Sequence, residues 1–435
     1  MQENNRTNAL PGTSNRNNLR LGIKLSLIVV ISLLLLIPQA IIMNMVNERS
    51  NTEQTADIEV CEKWGTGQTL TGPVLFIPGD SAAANVYILP EELNIKGDIN
   101  SRTLKRGIYD FTVYESGIDL AGHFVLPKEL SAERLKRLRT DRAKLLFAIS
   151  DFRGFTDNPT LALDGKPVDL SAEALHLGNS DALSCGVNIS SLLNGGALNY
   201  QLHVPLKGSD HLYFLPMGRT TSVHLTSDCV TPSFTGRYLP AQREVTDQGF
   251  TADWKVLALN RDFAQVLSTH SELKNAQPFG VDLKVPVMQY QQTTRSIKYA
   301  YLIILLTFAV VFFVEIRRQT PVHPVQYALV GIALMLFYTL LLSFSEHLTF
   351  LLSYLIASVM TIGLITLFVR ALLRNTRAAL IIGALLVVLY AFIYIIMQLE
   401  SYALLVGSLG VFAILATAMY ASQKINWYPK TEENS

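Results

Sequence analysis

The sequence predicts an α-helical multi-span membrane protein with about six transmembrane helices and a large β-rich extracytoplasmic domain. Three observations predict it. Of 435 residues, 49% are hydrophobic and 16% charged, with mean hydropathy +0.28, too apolar for an ordinary soluble chain and too long for a lone anchor. The apolar residues are concentrated near the N-terminus and in the last third, with a long polar middle between. Lys and Arg fall on alternate short connections, which fixes the orientation of the spans.

Taken in order, residues 1–20 are rich in Asn and carry Pro11, Gly12, Thr13 and Ser14, the composition of a disordered tail. The first span is 21–46, an apolar run centred on Leu25 to Ile37, which Arg16, Arg20 and Lys24 precede, and it is long enough to cross about 30 Å of hydrocarbon. A cleavable signal peptide has the same basic-then-apolar order. Here the run continues through Ile41, Ile42, Met43, Met45 and Val46 without a small-x-small cleavage site, so an uncleaved anchor is expected. The other spans read as 297–314, 325–344, 348–369, 379–397 and 402–420, within a block 297–421 that is followed by a short tail, 422–435.

Arg6, Arg16, Arg20 and Lys24 precede the first span, Arg317 and Arg318 lie in one later connection, Arg370, Arg374 and Arg377 in another, and Lys424 and Lys430 follow the last span. The opposite connections, 345–347 and 398–401, contain no Lys or Arg. Because positive charge stays on the cytoplasmic side, both termini are expected inside and residues 47–296 outside the cytoplasm.

That middle reads mostly as strand. Short β-branched and aromatic segments at 74–77, 85–89, 110–114, 197–204, 222–226 and 251–258 are separated by Gly, Pro and Asp. Phe250, Ala252, Trp254, Val256 and Ala258 alternate with a period of two, which puts them on one face. The interval 128–148 differs: Leu130, Leu135, Leu138 and Leu145, with basic residues between, have helical spacing. A further strand is expected at 281–290.

The function classes that need specific residue sets find little support. A net charge of +1 gives no basic excess for nucleic acid. Cys61, Cys185 and Cys229 have no metal-ligand spacing; outside the cytoplasm they could form one disulfide, Cys185 with Cys229, or remain three reduced thiols. His123, His176, His203, His211, His224 and His270 include no pair four apart on a helix, so no metal or other cofactor is expected. Gly79-Asp80-Ser81 and the neighbours Asp210 and His211 could begin a serine hydrolase site, but Gly79 and Asp80 fit a turn closing a strand better. The basic stretch 134–142 suits either anionic lipid or a solvated helix face, and the leucine stripe favours the latter. Within the membrane, ionisable residues at depth mark ion and proton pathways. Here Glu315, Glu346, His347, Arg370 and Glu400 sit at span ends, leaving hydroxyls such as Thr339, Ser358, Thr361, Tyr390 and Thr417 inside. Gly407, Gly410 and Ala413 form a small-residue stripe suited to close helix packing.

Several strings resemble the CreD family of inner-membrane proteins: VHPVQYALVGIALMLFYTLLLSFSEHLTFLLSYLIAS at 322–358, GPVLFIPGD at 72–80, ISDFRGF at 149–155, PSFTGRYLPAQREVTDQGFTADW at 232–254 and KINWY at 424–428. Met288 and Asn426 stand where the family pattern favours Asp. The resemblance implies a multi-pass inner-membrane protein of Gram-negative bacteria tied to envelope integrity and tolerance of envelope stress, under a two-component system in some of them, and carries no catalytic residues.

The expectation is therefore a non-catalytic envelope protein whose outer domain meets membrane lipid or an unidentified envelope protein, with no bearing on oligomeric state. Phe234, Arg237, Tyr238, Arg243 and Trp254 are the candidate contact residues, being aromatic and Arg side chains of the hot-spot type; core framework is the competing role for Trp254 and Phe250. Glu346 and His347 are candidates for coupling domain to membrane block, with turn capping as the competing role. The rival class is an enzyme or transporter of envelope lipids or lipid-linked precursors.

Overall fold

Pro38 has no N–H to give the Leu34 carbonyl one turn back, and the first long helix is interrupted there: α1, Thr13–Leu34, gives way to α2, Leu36–Trp64, across Leu35. The Leu35 N–H still donates to the Ile31 carbonyl (3.0 Å) and the Gln39 N–H to the Leu35 carbonyl (3.3 Å), so helical hydrogen bonding resumes on both sides of the break. The computed structural model describes residues 13–80, 84–283, 288–318, 321–399 and 402–423. Helix therefore begins inside the segment 1–20 expected to be a structureless tail, whose first twelve residues lie outside the described residues. It also runs past Val46, the expected end of the first span, through a polar stretch where the Thr52 hydroxyl donates back to the Glu48 carbonyl (2.9 Å). By its contacts the chain divides into two units, Glu53–Pro286, and Met1–Thr52 with Val287–Ser435.

The unit Glu53–Pro286 is β-rich. One sheet runs Ser233–Gly236, Phe279–Asp282, His211–Phe214, Gln68–Ile77, Lys144–Ile149, Ser180–Gly186, Ser171–Leu177, with Val86–Ile88 and then Val266–Leu267 branching from Gln68–Ile77. The other runs Gln242–Thr246, Gly249–Leu257, Thr220–Ser227, Glu92–Arg106, Tyr109–Val125, Ala197–Ser209, Thr160–Leu163, Lys166–Val168. Inward residues of both sheets belong to one apolar cluster. Gln68–Ile77 and Lys144–Ile149 are buried along nearly their whole length, as central strands covered on both faces are. Ala197–Ser209 instead alternates buried with exposed or half-buried residues over most of its length, the signature of a strand with one wet face. The long hairpin Glu92–Arg106 with Tyr109–Val125 closes through Gly107 and Ile108, where Gly107 takes the positive φ (65°) that so tight a turn demands.

All six expected strand segments overlap strands in this unit, though that at 85–89 is strand only over Val86–Ile88, and Ala258, expected on the same strand face as Phe250, Ala252, Trp254 and Val256, lies beyond the strand end at Leu257 in a 3-10 turn. Two further expectations are corrected. The interval 128–148, expected to be helical, contains a five-residue helix, α3, Ala132–Lys136, and a 3-10 turn at Thr140–Arg142, and Leu145 lies on a strand. Five residues close barely one turn, and the chain beyond is recruited elsewhere: the Asp80 N–H donates to the Arg137 carbonyl (2.9 Å) and the Arg139 N–H to the Pro78 carbonyl (2.8 Å). The strand expected at 281–290 ends at Asp282, and Met288 already opens a helix. A further short helix, α4, is Ser190–Leu193. All three cysteines are buried and reduced. The candidate partners Cys185 and Cys229 do not pair, the first lying on a strand of one sheet and the second just beyond Thr220–Ser227 of the other.

The second unit is helical: α5, Met288–Lys298; α6, Ala300–Arg318; α7, Pro324–Ser345; α8, Phe350–Leu373; α9, Thr376–Gln398; and α10, Ala403–Gln423. Among the described residues five helices are long and apolar enough to cross a membrane: 22–64, 290–316, 324–345, 350–373 and 376–398. The sixth expected span coincides with α10. Pro324 at the first position of α7 and the His323 ring, which accepts from the Val325 N–H (3.3 Å), start that helix. The Asn375 side chain accepts from the Ala378 N–H (3.1 Å) to start α9. Close packing uses glycine. A Cβ at Gly331 would lie 2.2 Å from Leu35, and one at Gly410 would lie 1.9 Å from the Phe392 ring, so the expected stripe on the last helix does meet a large side chain.

Candidate functional site

Glu315, at the end of α6, is 7% exposed, and an isolated carboxylate there would carry a heavy desolvation cost. Three groups offset it. Lys24 of α1 pairs with Oε1, the Val322 N–H donates to Oε1 (2.9 Å) and the Tyr327 hydroxyl donates to Oε2 (2.8 Å). The cluster joins the first helix to α6 and α7 and leaves the carboxylate fully engaged. A sequence scan places Glu315 and Lys24 at span ends but gives no sign that residues so far apart meet.

At the other end of α7, Glu346 occupies the C-cap, where its N–H donates to the Phe344 carbonyl. Its carboxylate lies 3.4 Å from the Arg49 guanidinium of α2, while His347 is exposed and its N–H donates to the Phe344 carbonyl (3.0 Å). Glu346 thus combines turn capping with an ion pair, and both partners belong to the helical unit.

Inside that unit the large side chains meet edge to face: Phe337 lies 4.6 Å from Tyr390 and 5.4 Å from Tyr354, centroid to centroid. The Tyr354 hydroxyl donates to the Tyr390 carbonyl (2.8 Å). The buried hydroxyls of Tyr338, Tyr390, Ser358 and Thr366 have no hydrogen-bond partner among the described residues.

In the β-rich unit, Trp254 is 2% exposed. It lies 5.7 Å from Phe234 and 6.1 Å from Phe279, and its indole N–H donates to the Tyr238 carbonyl (3.2 Å). Tyr238 meets Phe279 edge-on (5.7 Å) and donates its hydroxyl to the Asn260 carbonyl (2.8 Å). Arg243 stacks over Phe234 (5.7 Å) and Arg237 pairs with Asp262. The five candidate contact residues therefore gather in one region, but as a graded set. Trp254 is core, Phe234 and Tyr238 are half-buried against it, and only Arg237 and Arg243 are exposed.

The histidines are arranged by strand register. Asp253, His224, Lys96, Asp119 and His203 lie opposite one another across five adjacent strands, with 2.7 Å from ring nitrogen to carboxylate in both the His224–Asp253 and His203–Asp119 pairs. Asp119 and His203, with Thr160 and Gln201, line an open groove of about 450 Å³. His211 is different. Its ring lies over Gly67 and stacks on Tyr213 (4.2 Å), and burial holds the imidazole below its ordinary range against the opposing pull of Asp210 and Asp282. Gly79, expected to close a turn, instead forms an isolated antiparallel bridge with Leu138, its N–H donating to the Asn85 side chain (3.1 Å), while Ser81 lies outside the described residues.

Sequence spacing also missed Asp57 and Cys61, four apart on α2, whose carboxylate and thiol meet the Asp210 carboxylate. Reading 47–64 as helix would have placed the first two on one face.

Residues 20–428 match the family model described as "Inner membrane protein CreD". The chain is 28% identical over 422 residues to Inner membrane protein CreD of Escherichia coli (strain K12), an alignment covering 91% of each. Among solved structures, an M1 zinc metallopeptidase from Deinococcus radiodurans aligns with 9% identity and a TM-score of 0.22 over 45% of this chain and 42% of that one. A two-domain M1 zinc metallopeptidase bound to L-arginine aligns with 10% identity and a TM-score of 0.21 over 39% of each. Likenesses that slight bear on neither fold nor chemistry. With the family model matched over nearly its whole length, this chain belongs to the CreD family of inner membrane proteins.

Proposed function

We propose that this protein supports cell-envelope integrity and tolerance of envelope stress through its β-rich unit, held on the periplasmic side, and that it does so without catalysing a reaction. The observation that carries the reading is how Glu315 is used. An ion-coupled carrier keeps its buried carboxylate available to a moving ion, whereas Lys24, Tyr327 and the Val322 N–H saturate this one. The placement of the β-rich unit rests on the absence of Lys and Arg from 345–347 and 398–401. Orientation is tested with Leu259→Cys, a position 95% exposed: a membrane-impermeant maleimide labels it in intact spheroplasts, and labelling only after lysis overturns the placement.

Function is tested by photo-crosslinking from Arg237 and Arg243 in intact cells under envelope stress. Capture of a defined envelope protein supports the reading; capture of lipid alone favours the rival, an enzyme or transporter of envelope lipids or lipid-linked precursors. What favours that rival is the set of buried hydroxyls at Tyr338, Tyr390, Ser358 and Thr366 that find no partner among the described residues, polar groups that a buried substrate would use. Alanine at Arg243, Glu346 and His347 together bears on the rival: unchanged stress tolerance removes its ionisable candidates.

A further inference from the structure

The last turns of α2 and the turn between the strands Ala197–Ser209 and His211–Phe214 bring together three side chains of metal-ligand type. The Asp57 and Asp210 carboxylate oxygens and the Cys61 sulfur all lie within 4.8 Å of one another. The thiol is buried, 7% exposed, and the two carboxylates are half-buried. We propose that Asp57, Cys61 and Asp210 form a binding site for a divalent transition-metal ion of the zinc type. This goes beyond the envelope role proposed above and does not depend on it.

Chemistry and geometry both support the assignment. Two carboxylates held this close repel each other, and partial burial sharpens the repulsion; a divalent cation between them converts it into attraction. A thiolate beside carboxylates selects a borderline ion over Ca²⁺ or Mg²⁺, which take oxygen ligands. Ligands about 2.0–2.3 Å from a tetrahedral zinc lie roughly 3.3–3.8 Å apart, so the trio needs only side-chain rotation to close. Binding displaces the thiol proton to solvent and leaves the fourth position to water, the pattern of a site open to exchange.

The backbone holding the trio is tied together independently of any ion. The Gly65 N–H donates to the Cys61 carbonyl (2.8 Å) and the Ser209 hydroxyl donates to the Gly65 carbonyl (2.9 Å), so a single glycine links both sides of the site. The Leu283 N–H donates to the Asp210 carbonyl (2.8 Å), and the buried Tyr114 hydroxyl donates to the His211 carbonyl (2.8 Å). An ion here would fasten the end of α2 to the strand turn that Gly65 already approaches.

The test uses the full chain in detergent, stripped with chelator and titrated with Co²⁺, whose thiolate charge-transfer absorption reports sulfur coordination directly. One equivalent per chain is expected, displaced by Zn²⁺. The double variant Cys185→Ala/Cys229→Ala keeps the band, and Cys61→Ser abolishes it. Asp210→Asn keeps the thiol but weakens binding by more than about tenfold; circular dichroism confirms that each variant is folded. Absence of a charge-transfer band in the wild type, or a band and affinity unchanged in Asp210→Asn, overturns the site.

Discussion

Replacing Trp254 by Ala separates a structural indole from a contact indole. The side chain is 2% exposed and packed against Phe234 and Phe279, so truncation removes its transfer free energy, leaves a cavity and strips the Tyr238 carbonyl of its donor. Such a change costs about 3–5 kcal/mol. Cys185 and Cys229 belong to the same apolar cluster and supply the readout. Burial pushes the Cys185 thiol up to about 11, so it reacts slowly until the unit opens. Where closing is faster than labelling, the rate follows the open population, and the variant should label these two cysteines roughly 150- to 5,000-fold faster. Arg243→Ala, which loses an exposed stacking contact worth about 0.5–1 kcal/mol, should accelerate labelling no more than about fivefold. Mass spectrometry of the labelled peptides resolves the two sites. Wild-type labelling in Trp254→Ala would refute the core assignment and return Trp254 to the surface contacts.

Three further outcomes follow from the same geometry. Gly122→Ala places a Cβ 1.9 Å from the Glu92 carbonyl oxygen and 2.6 Å from the Tyr200 hydroxyl, and should destabilise the β-rich unit by about 1–3 kcal/mol, read by the same thiol assay. Lys24→Ala leaves the Glu315 carboxylate buried without its cation and should cost about 3 kcal/mol in detergent thermal unfolding, whereas Lys24→Met with Glu315→Leu should cost less than either single change. Burial alone would raise the Asp151 pKa, but hydrogen bonds from the Arg153 guanidinium and N–H and from the Thr66 N–H and hydroxyl outweigh it and hold the carboxyl below its ordinary range. A carboxyl depressed in the folded state stabilises it above the unfolded pKa and loses that contribution as pH falls through the folded value. Unfolding midpoints measured from pH 6 down to about 3 should therefore fall more steeply for the wild type than for Asp151→Asn.

Much of the architecture was legible because membrane spans and strands write their periods into the chain. The run 324–345 needs only its apolar length to be read as a span, and Phe250, Ala252, Trp254 and Val256 need only their alternation to be put on one buried face. The failures have local causes. Leucines at 130–145 have helical spacing, yet pairing with Pro78 and Asp80 takes the backbone beyond Lys136 away from helix. The polar end of α2 carries no span signal, so its helicity went unread, and with it the Asp57–Cys61 spacing. Long-range pairs are invisible for a different reason: Lys24 with Glu315, or His224 with Asp253, meet through packing and strand register that no local window contains.

The Lys24–Glu315 contact also sets a schedule for biogenesis. Its partners are 291 residues apart in the chain, and at about 5–20 residues per second a ribosome needs roughly 15–60 s to travel between them. For that interval Lys24 lacks its carboxylate partner, while the whole β-rich unit emerges and can fold. Lys24 and Leu35, which Gly331 receives, are early-made halves of a joint completed only when the last third of the chain is inserted. Nascent chains stalled before Glu315 should therefore be targets for membrane quality control, and those stalled beyond Gly331 should not.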